Sequence, residues 1–241
     1  MMSEQRAKQE QGERQAAMGL DGRHVVVTGG TGGLGPAVLE AFVGAGAKVH
    51  VPCHETDLAA DRRIAGVDYT LGVDLRSEAA VSAYYRALPG LWASVHIAGG
   101  FLWTPIADAT LARLEQQFGI NAVTSFLCSR EAAALLRQRG RGGRIVNVTS
   151  QAVRRPSAGM SVYAMSKAAV TALTESLAAE LSSEGIWVNA IAPSIIDTPT
   201  NREAMPDANT SEWTAPSEIA PTILYLAAPA NASVTGAIIP V

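Results

Sequence analysis

Several residue types are scarce in this chain, and each scarcity excludes something. Only two cysteines occur in 241 residues, Cys53 and Cys128. Two thiols so placed build neither a disulfide framework nor a zinc site. There are three lysines, Lys8, Lys48 and Lys167, against sixteen arginines, so a lysine inside a motif stands out. No run of about 18 apolar residues is present, and no membrane span is expected. The segment Met1 to Met18 is polar and lacks the apolar core of a secretion signal. The net charge is −3, with 19 basic residues scattered among 22 acidic ones. That balance leaves no basic footprint for nucleic acid. A cytoplasmic protein with neither a membrane nor a nucleic-acid partner is expected.

What is present argues for a folded enzyme-sized unit. Hydrophobic residues make up 48% and charged residues 17%, which excludes wholesale disorder. A chain of this length buries about three quarters of its unfolded surface and needs no staple. The 22 glycines follow no G-X-Y period, so tight turns or ligand loops are their expected use. Residues 1–20, rich in Gln, Glu, Arg and Lys, read as a flexible tail, and residues 21–241 as one domain.

Along that domain short apolar strands alternate with helices. Strands are expected at Arg23–Thr28, Lys48–Pro52, within Gly66–Asp74, and at Ser94–Ala98, Arg144–Thr149, Trp187–Ala192 and Ala237–Val241. Helices are expected at Pro36–Gly44, Glu78–Leu88, Leu111–Arg139 with a break near Gly119, Ser161–Ser183 and Ser217–Ala228. This alternation predicts an α/β fold, a doubly wound Rossmann-type domain with a parallel sheet of about seven strands covered by helices on both faces.

Between the first strand and first helix lies Thr28-Gly29-Gly30-Thr31-Gly32-Gly33-Leu34-Gly35. Glycines let a backbone turn sharply and approach a pyrophosphate, and a helix N-terminus offers N–H groups and a positive dipole end. The loop satisfies two spacings. T-G-x-x-x-G-x-G runs through Gly29, Gly33 and Gly35, and T-G-x-x-G-x-x-G through Gly29, Gly32 and Gly35.

Tyr163 and Lys167 lie four residues apart on a helix and so share a face. A cation beside a phenol favours the phenolate and fits it for acid–base work near neutral pH. Ser150 ends the fifth strand, thirteen residues before Tyr163, at the sheet edge where open α/β folds bind ligands.

Together these features resemble the single-domain short-chain dehydrogenases/reductases over about residues 22–241. The resemblance rests on TGGTGGLG, on Asp74-Leu75, on Asn121, on GRIVNVTS ending at Ser150, on Tyr163-x-x-x-Lys167, and on WVNAIAPS followed by Asp197-Thr198-Pro199. It implies hydride transfer between a nicotinamide and a carbonyl or alcohol carbon of a small molecule. It implies Tyr163 as acid and base, Lys167 as its cation and ribose ligand, Ser150 on the substrate oxygen, and Asn121 holding a relay water. Cofactor contacts are implied at Thr28, Gly29, Thr31, Gly33, Leu34, Gly35, Cys53, His54, Asp74, Leu75, Ala98, Gly99, Pro193, Ile196 and Thr198, besides Tyr163 and Lys167. A homodimer or homotetramer is implied by the long alanine-rich helices.

The chain departs from that pattern in places. His96 stands where the family often has an asparagine, and is expected to be a buried, hydrogen-bonded brace. Ser194 replaces a usual glycine and adds a side chain beside the nicotinamide, which alters the room for substrate. No acid ends the second strand, where Cys53 and His54 stand, and this tilts the cofactor from NAD toward NADP, with His54 or Arg62 as the assisting residue. Trp103, Met160 and Trp213 are candidate substrate-cleft residues, and Cys128 an inert core thiol. The segment Asp197–Trp213 and Ala98-Gly99-Gly100-Phe101 are similar to dihydropteridine reductases, a second reading that Ser150 argues against. A third is a dinucleotide-binding regulator without turnover, against which the intact Ser150, Tyr163 and Lys167 stand. The short stretch after Thr198 predicts a small lid and an open site.

Overall fold

A computed structural model describes residues 18–241. The expected tail therefore lies almost entirely outside the described residues, although Leu20 is a fully buried core residue. Seven parallel strands form one sheet in the order β3-β2-β1-β4-β5-β6-β7. They are β1 His24–Thr28, β2 Lys48–Pro52, β3 Val67–Thr70, β4 Ala93–His96, β5 Gly143–Val148, β6 Ile186–Ala192 and β7 Ile238–Pro240. The helices are α1 Gly35–Gly44, α2 Glu78–Ala87, α3 Leu111–Phe118, α4 Thr124–Arg139, α5 Ser161–Leu181, α6 Pro199–Ala204 and α7 Pro216–Ala227. The expected break near Gly119 is a π turn, Gly119–Val123, joining α3 to α4.

Strand alternation sends side chains to opposite faces, and the β1 valines show the result. Val25 and Val27 join a core with Val38, Leu39 and Phe42 of α1 and Ile219, Ile223 and Leu226 of α7. Val26, between them, joins the core on the other face with Tyr84 and Tyr85 of α2, Leu127 and Leu136 of α4 and Leu181 of α5. Each face is sealed, which is why β1, β4, β5 and β6 are buried along nearly their whole length.

Helix starts follow capping chemistry. Ser77 accepts from the Ala80 N–H at 3.3 Å and Thr110 from the Arg113 N–H at 3.3 Å. Gly140, at φ +60°, closes α4. The strand order reverses between β1 and β4, so the connections leaving their C-terminal ends part and open a crevice there.

His96 braces the sheet as expected. It is buried, with Nδ1 2.8 Å from Asn147 Oδ1 and Nε2 2.8 Å from Ser94 Oγ. Burial holds its pKa down at about 4, so it is neutral, with Nδ1–H donating to Asn147. Asn147 in turn donates to Thr174 Oγ1 of α5 at 3.0 Å.

Candidate active site

The glycine loop packs so closely that several of its glycines admit no side chain. Gly29 has φ +71°, and an added Cβ would lie 2.6 Å from the Ala98 backbone. At Gly33 it would lie 2.7 Å from Thr198 Cγ2, and at Gly35 2.0 Å from the Gly30 carbonyl oxygen. Gly32 is different: its added Cβ would meet only the Gly29 oxygen, at 3.3 Å. The packing thus selects Gly29, Gly33 and Gly35 from the two spacings that the loop allows.

Beside the loop lies a cavity of about 640 Å³. Gly29, Thr31, Gly33, Leu34, His54, Asp74, Leu75, Ala98, Gly99, Ile196 and Thr198 all line it, as the sequence leads one to expect. It is large enough for part of a dinucleotide. Its bare glycine backbone ends at the N-terminus of α1, the donor set that a pyrophosphate needs. The residues present fit the cofactor.

Three expected contacts are corrected. Cys53 is buried in the sheet core, its thiol turned to the Val51 carbonyl at 3.6 Å and pushed up to about 11 by burial. Side-chain alternation turns it inward and leaves its neighbours Pro52 and His54 on the cavity wall. Thr28 and Gly35 shape the loop without lining the cavity. Thr28 is buried and its hydroxyl accepts from the Ala98 N–H at 3.4 Å, and Gly35 gives the close approach to Gly30.

A second cavity, of about 390 Å³, shares Leu34, Ile97, Gly99, Ile196 and Asn201 with the first, so the two form one cleft. Ser150, Tyr163, Lys167, Pro193 and Ser194 line it. Ser150 follows β5, Tyr163 and Lys167 lie in the first two turns of α5, and their side chains meet over the sheet edge. Tyr163 shares this wall with Ser150, and its ring meets Phe101 edge-on at 5.0 Å. Lys167 is buried and its Nζ donates to the Val148 carbonyl at 2.9 Å.

The electrostatics here depart from expectation. Burial raises the Tyr163 pKa above the ordinary tyrosine value, and the Ser150 hydroxyl offsets only part of that. Burial also lowers Lys167 to about 8. In this cleft desolvation outweighs the expected cation effect, and the phenol is protonated at neutral pH.

Asn121 sits in the π turn and is fully buried. Its amide holds the Gly100 backbone reciprocally, accepting from the N–H at 3.0 Å and donating to the carbonyl at 3.0 Å, and donates to Ser166 Oγ at 3.0 Å. The side chain is thus committed to the strand-end loop after β4. An added Cβ on Gly99 would lie 2.7 Å from Asn121 Oδ1 and 3.2 Å from Lys167 Nζ, so that loop threads between the two.

Of the three candidate cleft residues, Met160 lines the cavity. Trp103 is instead exposed on the Ala158 carbonyl, to which its Nε1 donates at 3.0 Å, and Trp213 is not among the lining residues. Sequence reasoning missed Arg155, Asn201 and Met205 on the substrate side, and Glu55 and Arg76 on the cofactor side. Arg76 had a signal, two residues after Asp74: its Nε and Nη2 donate to the Asp74 carboxylate at 3.1 and 3.2 Å. Asn201 and Met205 come from α6 and its end, a short helix that the sequence reading left as lid and that Thr198 caps. Ser194 donates or accepts toward Thr214 Oγ1 at 3.0 Å, which ties it to the lid base.

Comparison with known proteins agrees with this geometry. The short chain dehydrogenase family matches residues 23–209. A sorbitol dehydrogenase of Cereibacter sphaeroides is 35% identical over 188 residues, 75% of this chain and 73% of that protein. A galactitol 2-dehydrogenase of Rhizobium johnstonii is 35% identical over 243 aligned positions, 91% and 93% of the two chains. The L-xylulose reductase of Bos taurus is 30% identical, covering 92% of this chain and 96% of its own. Among solved structures, a short chain dehydrogenase/reductase family protein superposes with a TM-score of 0.84 at 32% identity, covering 92% of this chain and 96% of that one. The chain therefore belongs to the short-chain dehydrogenase/reductase family and is an NAD(P)-dependent oxidoreductase.

Proposed function

We propose that the protein is an NAD(P)H-dependent carbonyl reductase or alcohol dehydrogenase whose catalytic group is Asn121, Ser150, Tyr163 and Lys167. The observation that carries this is that Ser150, Tyr163 and buried Lys167 line one cavity continuous with the glycine-loop cavity. The dinucleotide, when bound, supplies or accepts the hydride.

The chain's own residues do the rest. Thr31, Gly33 and Leu34 hold the pyrophosphate, Asp74 and Leu75 the adenine, Ala98, Gly99, Pro193, Ile196 and Thr198 the nicotinamide side, and Lys167 its ribose. Ser150 Oγ donates to the carbonyl oxygen and steadies its developing charge. Tyr163 gives that oxygen its phenolic proton in reduction and takes it back in oxidation. Asn121 holds the loop that carries Gly99 and Gly100 against Lys167.

NADP is the favoured dinucleotide. His54 and Arg76 line the adenosine end, and Arg62 reaches over it to the Thr31 carbonyl at 3.1 Å. Glu55 is the opposing charge, paired with Arg62 at 3.4 Å. The substrate is a small alcohol or carbonyl compound, as the printed names of the polyol and xylulose relatives suggest, which favours this reading over a pterin. Exposed Leu111, Phe126 and Met165 on α3, α4 and α5 support a homodimer or homotetramer. Residues 21–241 act as one catalytic domain. Among the described residues no helix is long and apolar enough to cross a membrane, and the two free, buried thiols suit a cytoplasmic setting.

The test is Tyr163→Phe. Loss of at least about 100-fold in kcat with NADPH binding kept is expected. Retained turnover overturns the assignment.

A further inference from the structure

We propose that the substrate carries a carboxylate, and that Arg155 holds it at the mouth of the reaction cavity. This rests on the reading of Ser150 and Tyr163 as the reacting centre.

The first observation is charge. Lys167 and Arg155 are the cations on the cavity wall, and among the described residues no aspartate or glutamate lines it. Lys167 lies at the buried end with its ammonium already donating to Val148. Arg155 is exposed at the rim. Arg62, Arg76 and Arg202 are each paired with a carboxylate, and of the exposed arginines only Arg155 lines this cavity. The Arg155 guanidinium has no hydrogen bond, ion pair or ring contact among the described residues. Its fork of donors faces a cavity with nothing to receive it.

The second observation is placement. Arg155 closes the turn that Ser150 opens. Ser150 Oγ accepts from the Ala152 N–H at 3.1 Å, and the Arg154 and Arg155 N–H groups both donate to the Gln151 carbonyl, at 3.0 and 2.9 Å. The hydroxyl that meets the reacting oxygen and the guanidinium at the rim thus belong to one short, internally bonded segment. Their separation sets the distance between a substrate's carbonyl and its charged end.

The third is the wall between them. Phe101, Met160, Ile195 and Met205 are apolar and offer no competing charge between the reacting centre and the mouth. One planar guanidinium matches one carboxylate by two parallel hydrogen bonds. The neutral side chains on the same wall are already engaged: Gln151 donates to the Val241 carbonyl, Ser157 to Met160 Sδ and Asn201 to the Ile196 carbonyl, which leaves Arg155 as the free donor. A phosphate dianion would find a single accessible cation.

The test compares acetoacetate and levulinate, each beside its methyl ester, on the full chain with bound NADP. Calorimetry reads binding apart from turnover. Tighter binding of at least one acid than of its ester, by about tenfold, is expected. Arg155→Gln should erase that preference by lowering acid affinity toward that of the ester, and Arg155→Lys should keep part of it. In steady state the loss should fall on KM and spare kcat. Equal binding of acid and ester, no binding of either acid, or a preference that survives Arg155→Gln overturns the proposal. Acid-selective binding without turnover of any carbonyl would leave it standing and overturn the reaction assigned above. Turnover of esters and acids alike would do the reverse.

Discussion

Lys167 Nζ donates to the carbonyl oxygen of Val148 at 2.9 Å, so the last residue of β5 and the second turn of α5 are tied by a buried ammonium. Burial lowers this lysine to about 8, from 10.5 in the open chain. Its charge is therefore present below about pH 8 and lost above it. Affinity for the nicotinamide cofactor should weaken as pH rises through about 8, and Lys167→Met should weaken binding and flatten that limb. Fluorescence titration of NADPH across pH 7–10 reads both. An unchanged pH limb in Lys167→Met would assign it to another group.

Gly33 and Gly32 offer a paired test of the loop. Gly33→Ala puts a methyl group against the Thr198 side chain and should cost at least about tenfold in cofactor affinity, by opening the loop. Gly32→Ala meets only one carbonyl oxygen within the protein, so it should leave the loop's packing intact and cost less affinity than Gly33→Ala. Equal effects would mean that the packing of Gly33 on Thr198 does not shape the site.

His96 predicts acid lability. Its folded pKa, about 4, lies below the open-chain value of 6.5. The unfolded chain takes up the proton first, so the stabilisation is complete above about pH 6.5 and is lost as pH falls toward 4. The shift corresponds to about 3 kcal/mol. His96→Asn should remove this slope while Asn147 keeps a partner. Denaturant midpoints of both proteins between pH 4 and 7.5 measure it, and parallel slopes would place the lability elsewhere.

Glu55 bears on the dinucleotide. Its carboxylate stays charged beside Arg62 and the Thr31 hydroxyl, which hold its pKa down against the cost of burial. Glu55→Gln removes the negative charge from a wall that keeps His54 and Arg76. The ratio of NADPH to NADH affinity should rise by about three- to tenfold. A ratio that falls would show Glu55 serving the phosphate through Arg62.

Most of the scaffold was legible because its signals are local and strong. Short β-branched runs between glycines gave every strand, and Tyr163 with Lys167 needed only helical spacing to share a face. What escaped depended on direction in space. Cys53 sits beside His54 in the chain, yet the sheet sends its thiol inward. Asn201, Met205 and Arg155 reach the cleft from irregular segments with no periodicity to read. The phenol's pKa depended on how completely the cleft excludes water, and spacing along a helix carries no such information.

The π turn at Gly119–Val123 has one more consequence. Such a turn contains an extra residue, so everything after it is about 100° out of phase with what came before. Upstream, α3 buries only Gln117, whereas downstream α4 buries Leu127, Cys128, Ala132 and Leu136. The offset works as a gear between two rods. It lets Asn121 turn toward the loop after β4 while the rods on either side keep their own rotational settings, the first burying little and the second packed against the sheet.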